Sequence, residues 1–297
     1  MSLLSCAHGQ KPAGRSFSHD GLSREYLLYA PSLKPNPSGK RPLLFVLHGG
    51  GGTHRGMVRL TRRRFNELAD RDGFFVVYPQ GVDKSWNDGR RDKISGAHRK
   101  GIDDVGFLSA LIEHLIYKYP IDPDRVFVTG ISNGGLMSFR LGCTLNDKIR
   151  AIAPVTAQIP SALEPLCRSD SEVSLVVFNG TEDPLVPYNG GQITVFRQRR
   201  GEVLSTDETI RIWQNKNRCR SKARVTELPD LTADGTRVTK IEYTQCAADS
   251  RVVLFRIDGG GHTWPDGRQY LPLRRVGRTS RDINACDEIW EFFKSLN

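Results

Sequence analysis

Residues 43–47 (Leu-Leu-Phe-Val-Leu) form a continuous apolar run, the pattern of a strand buried on both faces of a parallel sheet. Residues 23–30, 74–78, 125–128, 149–155, 174–178 and 251–257 read as further strands. Between them the apolar positions change to helical spacing. Phe65, Leu68 and Ala69 mark a helix over 53–71. Phe107, Leu108, Leu111, Ile112 and Leu115 mark one over 103–119, which Asp103 and Asp104 open as structural acids at its positive end. Residues 136–145 continue the pattern, as do 206–215 (Ile210, Trp213) and 283–296 (Ile289, Trp290, Phe293). Residues 31–41 and 120–124, rich in Pro, Asp and Asn, read as turns. Residues 224–227 and 238–243 flank Asp234-Gly235, a hairpin signal. Strands alternating with helices predict an α/β fold: a mostly parallel central sheet, helices on both faces, and a small hairpin insertion before the last strand.

At 297 residues the chain suits a single catalytic-size α/β domain over 1–297, with an insertion at about 190–250. No repeat, low-complexity tail or linker interrupts it. No apolar stretch approaches the roughly 20 residues of a membrane span. Residues 1–10 are too short and too polar for a secretory signal, so any signal is expected to have been removed or never to have existed. Leu3-Leu4-Ser5-Cys6 is similar to a lipoprotein cleavage site, but no apolar stretch precedes it.

The net charge of +10 brings arginine clusters at 62–64, 197–200 and 274–281. A basic surface suits anionic partners. Yet the clusters are scattered, without interleaved aromatics, and no nucleic-acid-binding signature is present, so a solvated basic face is expected and nucleic acid is not an expected partner. The cysteines Cys6, Cys143, Cys167, Cys219, Cys246 and Cys286 show no zinc-type spacing. Their even number at long spacings suits disulfides and an oxidising, secreted or periplasmic setting. We expect Cys219 with Cys246, bracketing the hairpin, and Cys143 with Cys167; the competing expectation is buried thiols in a reduced chain.

The chemistry concentrates at strand ends. Residues 130–134 (Gly-Ile-Ser-Asn-Gly) sit between a strand and a helix, the context in which Gly-x-Ser-x-Gly forces a sharp turn and exposes the serine. Residues 48–52 (His-Gly-Gly-Gly-Gly) follow the first buried strand. A phosphate loop would need Gly-Lys-Ser/Thr. A dinucleotide fingerprint would need an acid ending the next strand, where the chain has Pro79-Gln80-Gly81. The remaining reading is an oxyanion loop, donating a backbone N–H from Gly50 to pair with that of Asn133. Asp183 follows the 174–178 strand, and His262 follows the last strand on a glycine run. Ser132, Asp183, His262 is the chain order of the α/β-hydrolases. Ser132 needs His262 to take its proton, and His262 needs a carboxylate to fix its tautomer. Glu182, Asp258 and Asp266 are the rival acids. Trp86, in a polar loop past a strand's carboxyl end, and Trp264, beside His262, are candidate substrate contacts. The loops around Trp86 and Tyr188 and the 190–204 region are expected to set substrate choice. His98 and His114 read as surface polar residues.

Together these motifs resemble a known family. Residues 47–52, 103–108 (Asp-Asp-Val-Gly-Phe-Leu), 130–138, 151–155 (Ala-Ile-Ala-Pro-Val), 180–188 and 259–265 (Gly-Gly-Gly-His-Thr-Trp-Pro) are similar to the secreted polyhydroxybutyrate-depolymerase-like esterases, which include feruloyl and acetylxylan esterases of carbohydrate esterase family 1. The resemblance covers roughly residues 20–296. It implies an α/β-hydrolase fold, an exported serine esterase without cofactor or metal, and the triad Ser132, Asp183 and His262. Polyester depolymerases of this group carry a cysteine where this chain has Gly50, and append a linker and polymer-binding domain. The expected substrates are therefore feruloyl or acetyl esters of plant polysaccharide, with polyhydroxybutyrate oligomers as the alternative. A non-catalytic carbohydrate-binding protein on the same fold is the competing class, though the motif set is intact. A peptidase is a third, without the propeller or lid domain such enzymes often carry.

Overall fold

The computed structural model describes residues 11–31, 39–168 and 172–296. Cys6 and the 1–10 segment lie outside them. Twelve strands form: β1 (Ala13–His19), β2 (Leu22–Tyr29), β3 (Arg41–Leu47), β4 (Phe75–Pro79), β5 (Ile121–Ile131), β6 (Ala151–Val155), β7 (Ser174–Gly180), β8 (Gly191–Val195), β9 (Gln198–Val203), β10 (Arg224–Glu227), β11 (Arg237–Tyr243) and β12 (Val252–Asp258). Ten of them make one sheet in the order β1-β2-β4-β3-β5-β6-β7-β12-β11-β10, and β8 pairs with β9 apart from it. The pairings from β4 through β3, β5, β6 and β7 to β12 are parallel. Both edges are antiparallel, β1-β2 at one and β10-β11 at the other.

Strand β3 shows why the centre reads as unbroken apolar sequence. Leu43, Phe45 and Leu47 pack to one face and Leu44 and Val46 to the other, all buried. The first face carries the helices Asp104–Lys118, Asn133–Thr144 and Thr206–Lys216. The second carries His54–Leu60, Arg64–Asp72 and Ala285–Lys294, with Phe74 stacked on Trp290 at 3.6 Å and Phe127 on Phe293 at 4.6 Å. Truncating a side chain such as Leu44 in such a core typically costs about 2–5 kcal/mol. The architecture is that of the α/β-hydrolase fold.

Two local expectations change. The helix read over 53–71 is two helices. Arg62 and Arg63 take left-handed φ of 52° and 64°, and the Thr61 hydroxyl donates to Met57 O at 3.0 Å, competing with the helical ladder. The break frees Leu60 O to accept from Arg268 N. From Ile121 on, the turn read at 120–124 already belongs to β5, where Ile121 pairs with Arg41 across a register shift. The hairpin β10-β11 extends the main sheet beside β12. Among the described residues two disulfides form, Cys143–Cys167 and Cys219–Cys246, and Cys286 is a buried thiol. No helix among the described residues is long and apolar enough to cross a membrane.

Candidate active site

Ser132 stands where β5 gives way to the helix Asn133–Thr144. Its backbone adopts φ 55° and ψ −122°, a sparsely populated conformation for a residue with a Cβ. The turn is held from below by Ser132 N donating to Val155 O at 2.9 Å. Its tightness depends on Gly134, where a Cβ would lie 2.5 Å from Leu47 O. The chain ahead of the glycine loop and the serine turn are thus in backbone contact. A Cβ on Gly50 would sit 3.7 Å from that of Asn133, so the two expected donors are neighbours. Gly51 N and Gly52 N donate to Lys84 O and Gly49 O, while the N–H of Gly50 has no protein acceptor among the described residues.

His48 orients this loop. Its Nδ1 donates to Gly49 O at 2.8 Å and its Nε2 accepts from Gly81 N at 3.0 Å, a pairing that requires the neutral ring. Burial is the main cause that lowers its pKa, to about 4.

Asp183 follows β7 and His262 follows β12, at the sheet edge where Ser132 stands. His262 Nδ1 and Asp183 Oδ2 are 2.6 Å apart, with both side chains almost wholly buried. Asp183 Oδ1 accepts from Leu185 N and Val186 N at 2.8 and 2.9 Å, which fixes the carboxylate plane. The rival acids face elsewhere: Asp258 to Arg256, Asp266 to Arg281 and Asn284, Glu182 to Arg278. The His262 loop is strapped by 276–278. His262 N donates to Val276 O at 2.5 Å, Gly261 N to Arg278 O at 2.9 Å, and Tyr270 Oη to His262 O at 2.9 Å. Burial, with Asp183 nearby, pushes the Tyr270 phenol up, so it stays a donor.

Both tryptophans differ from the expected substrate contacts. Trp86 and Trp264 are fully buried and present no face to a ligand. The Trp86 ring packs on His48 at 5.0 Å and its Nε1 donates to His48 O at 2.9 Å. Trp264 meets Phe65 edge-on at 6.0 Å. Tyr188 is half-buried, its phenol raised to about 12 chiefly by burial and then by Asp207. His98, read as a surface residue, is buried against Asp88 at 3.0 Å. His114 is half-buried with its ring 5.0 Å from Phe17. Asp103 caps the helix Asp104–Lys118 by accepting from Gly106 N, and buried Asp104 binds Arg24 at 2.6 Å and Asn87 N at 2.7 Å.

The sequence assigns a role to the backbone N–H of Asn133 and none to its side chain, which the structure shows to be bonded as well. Its Oδ1 accepts from Trp86 N at 2.7 Å, and its Nδ2 donates to Trp86 O at 2.9 Å and Asp88 Oδ2 at 2.6 Å. An asparagine after the serine, where any residue supplies a backbone N–H, was the available signal.

The fold and the enzymes it resembles define a carboxylic ester hydrolase of the α/β-hydrolase class. No family profile matches the chain. It is 30% identical over 279 residues to "Putative esterase NocK" of Nocardia uniformis subsp. tsuyamanensis, covering 92% of this chain and 79% of that protein. It is 28% identical over 203 residues to feruloyl esterase B of Piromyces equi, covering 66% of this chain and 35% of that longer protein. Among solved structures, the acetyl xylan esterase from Aspergillus awamori superposes with a TM-score of 0.59 at 15% identity, over 95% of this chain and 99% of that one, a likeness of fold. The chain belongs to the esterase family of these sequence relatives, a putative esterase and a feruloyl esterase among them.

Proposed function

We propose that the chain hydrolyses feruloyl or acetyl esters of plant polysaccharide through an acyl-enzyme on Ser132. The observation that carries this reading is the buried 2.6 Å contact of His262 Nδ1 with Asp183 Oδ2. It leaves Nε2 as the nitrogen free for proton transfer. Ser132 Oγ attacks the ester carbonyl as His262 Nε2 takes its proton. The oxyanion is held by the N–H groups of Gly50 and Asn133, each donor of this kind worth about 3–4 kcal/mol in the transition state. Collapse breaks the C–O bond, and the departing alkoxide takes the proton from His262. Water, deprotonated by His262, then attacks the acyl carbonyl; the bond from the acyl carbon to Ser132 Oγ breaks, Oγ takes the proton back from His262, and the acid is released. Asp183 holds the ring tautomer and stabilises the imidazolium. The sequence of steps balances without cofactor or metal.

One catalytic domain across 1–297, with its inserted segment at about 190–250, fits this reading. Export to an oxidising compartment is supported by the two disulfides. The test is hydrolysis of p-nitrophenyl acetate by wild type and Ser132→Ala, with fluorophosphonate labelling of Ser132. Equal rates, or an unlabelled serine, would refute the mechanism. A panel of methyl ferulate, acetylated xylan and hydroxybutyrate oligomers then assigns the acyl group.

A further inference from the structure

A cavity of about 500 Å³ opens against the segment 87–99. Its wall carries Arg91, Lys93, Arg99 and Arg140, beside Asn87 and His98. The cations around it are already satisfied: Arg90 pairs with Asp88 and Asp92, Lys100 with Asp83, and Arg200 with Asp92. Arg91, Lys93 and Arg99 are exposed and have no carboxylate within ion-pair distance among the described residues. Asp92 also belongs to the wall, but its carboxylate is buried and held by Arg90 and Arg200. Arg140 reaches in from the helix Asn133–Thr144, where one arm donates to Asn87 O and its Nε is buried without a partner.

Cations gathered around one concavity repel one another, and a cleft of one sign attracts an anion of the other. Guanidinium forks match a carboxylate in two-point geometry. The buried Asp92 charge at the wall suits a monoanion surrounded by hydroxyl groups better than a phosphate dianion. The volume suits a sugar ring. The position is informative too. Segment 87–99 follows β4 at the same sheet edge as Ser132, and the hydrogen bonds from His98 to Asp88 and from Asn133 to Asp88 link the cavity wall to the residue beside Ser132. Arg140 lies eight residues along the helix from Ser132, about 12 Å at 1.5 Å per residue.

The geometry points to a subsite for a carboxylate-bearing sugar, a uronic acid on the alcohol side of the ester. Its use in catalysis rests on the esterase reading above; the binding site itself does not. The substrate is then an acidic oligosaccharide that places its ester at Ser132 and its carboxylate among Arg91, Lys93, Arg99 and Arg140.

The test separates binding from turnover. Full-length Ser132→Ala is titrated calorimetrically with a glucuronic-acid-bearing xylo-oligosaccharide and with its neutral counterpart. The acidic ligand should bind about tenfold more tightly at low salt, and the difference should collapse near 1 M NaCl, where screening acts within about 3 Å. It should also collapse in Arg91→Gln/Lys93→Gln/Arg99→Gln and be retained only in part in Arg91→Lys/Arg99→Lys, which keeps the charge but loses the two-point fork. With the active enzyme, the ratio of kcat/KM on acetylated acidic and neutral oligosaccharides should fall with the same neutralising changes. Equal affinities for the two ligands would overturn the subsite. Inorganic phosphate competing as well as glucuronate would overturn its assignment to a carboxylate. If instead Ser132→Ala hydrolysed as fast as wild type, the esterase mechanism would fail while the binding difference stood.

Discussion

Asn133 Nδ2 donates to Asp88 Oδ2 over 2.6 Å, joining residues 45 positions apart in the chain. The bond ties the turn carrying Ser132 to the loop that follows β4. Asp88 is wholly buried. Burial alone would raise its carboxyl, but Arg90 and His98 hold it below the ordinary carboxylate value, so it is charged at neutral pH. Asp88→Ala would leave buried His98 without its anion, Arg90 with Asp92 alone, and Asn133 Nδ2 with Trp86 O as its one acceptor. Breaking a buried pair in this way costs about 3–5 kcal/mol. Urea denaturation should show that loss; a change below about 1 kcal/mol would mean that the network carries little of the fold.

His48 predicts an acid sensitivity. Its folded pKa of about 4 lies below the ordinary 6.5, so the folded state binds fewer protons than the unfolded state between those values. The contribution is fully present above pH 6.5 and is lost as pH falls towards 4. At 1.36 kcal/mol per unit it amounts to about 3 kcal/mol. Melting temperatures measured from pH 8 to 4 should drop across that window, and His48→Gln should flatten the drop relative to wild type. Parallel profiles for the two proteins would remove His48 as a cause.

The order of strands and the serine turn were legible because they are local. A buried central strand needs an apolar run, and a serine on a tight turn needs glycines beside it. The role of the Asn133 side chain was not legible, since its partners Trp86 and Asp88 lie far off in sequence. His98 failed for the same reason: a histidine in a polar loop looks exposed until Asp88 is folded against it. Strand β1 was missed because most of it is exposed, which leaves no apolar contrast to read. Trp86 and Trp264 were misjudged because an aromatic near a site can equally be the packing that supports it.

Asp183→Asn tests the proposed carboxylate with little change of shape. The two backbone N–H groups of Leu185 and Val186 keep an oxygen acceptor, so folding should be nearly unaffected. The His262 tautomer, however, is no longer enforced by a charge. In triads of this kind the change lowers kcat by about 10⁴-fold. Stopped-flow assays should show that loss in acylation, with a melting temperature close to wild type. Activity within tenfold of wild type would return the role to a rival acid.

The disulfides make separable contributions. Cys143 and Cys167 are 24 residues apart and tie the helix bearing Asn133 to the segment after it; Cys219 and Cys246 are 27 apart. Loop-closure entropy gives about 3–4 kcal/mol for each. Cys143→Ser/Cys167→Ser should lose that amount in chemical denaturation. Alkylation followed by mass spectrometry should leave Cys286 unmodified in the folded protein, where burial raises its thiol well above the ordinary value, and label it only on unfolding.

Gly261→Ala tests how closely His262 must be held. A Cβ there would meet Val276 O at 2.1 Å and Gly277 Cα at 2.5 Å, both backbone atoms that cannot rotate away. The strap must therefore move, and it carries the acceptor for His262 N. A displacement of about 1 Å at a reacting group can cost about 10²-fold in rate. Gly261→Ala should lower kcat by that order while ligand binding to the cationic cavity, which lies on another loop, is retained. Gly14→Ala, where a Cβ would meet nothing within 4 Å, serves as the control and should behave as wild type. If Gly261→Ala keeps wild-type kcat, the strap tolerates movement and the position of His262 is fixed by Asp183 alone.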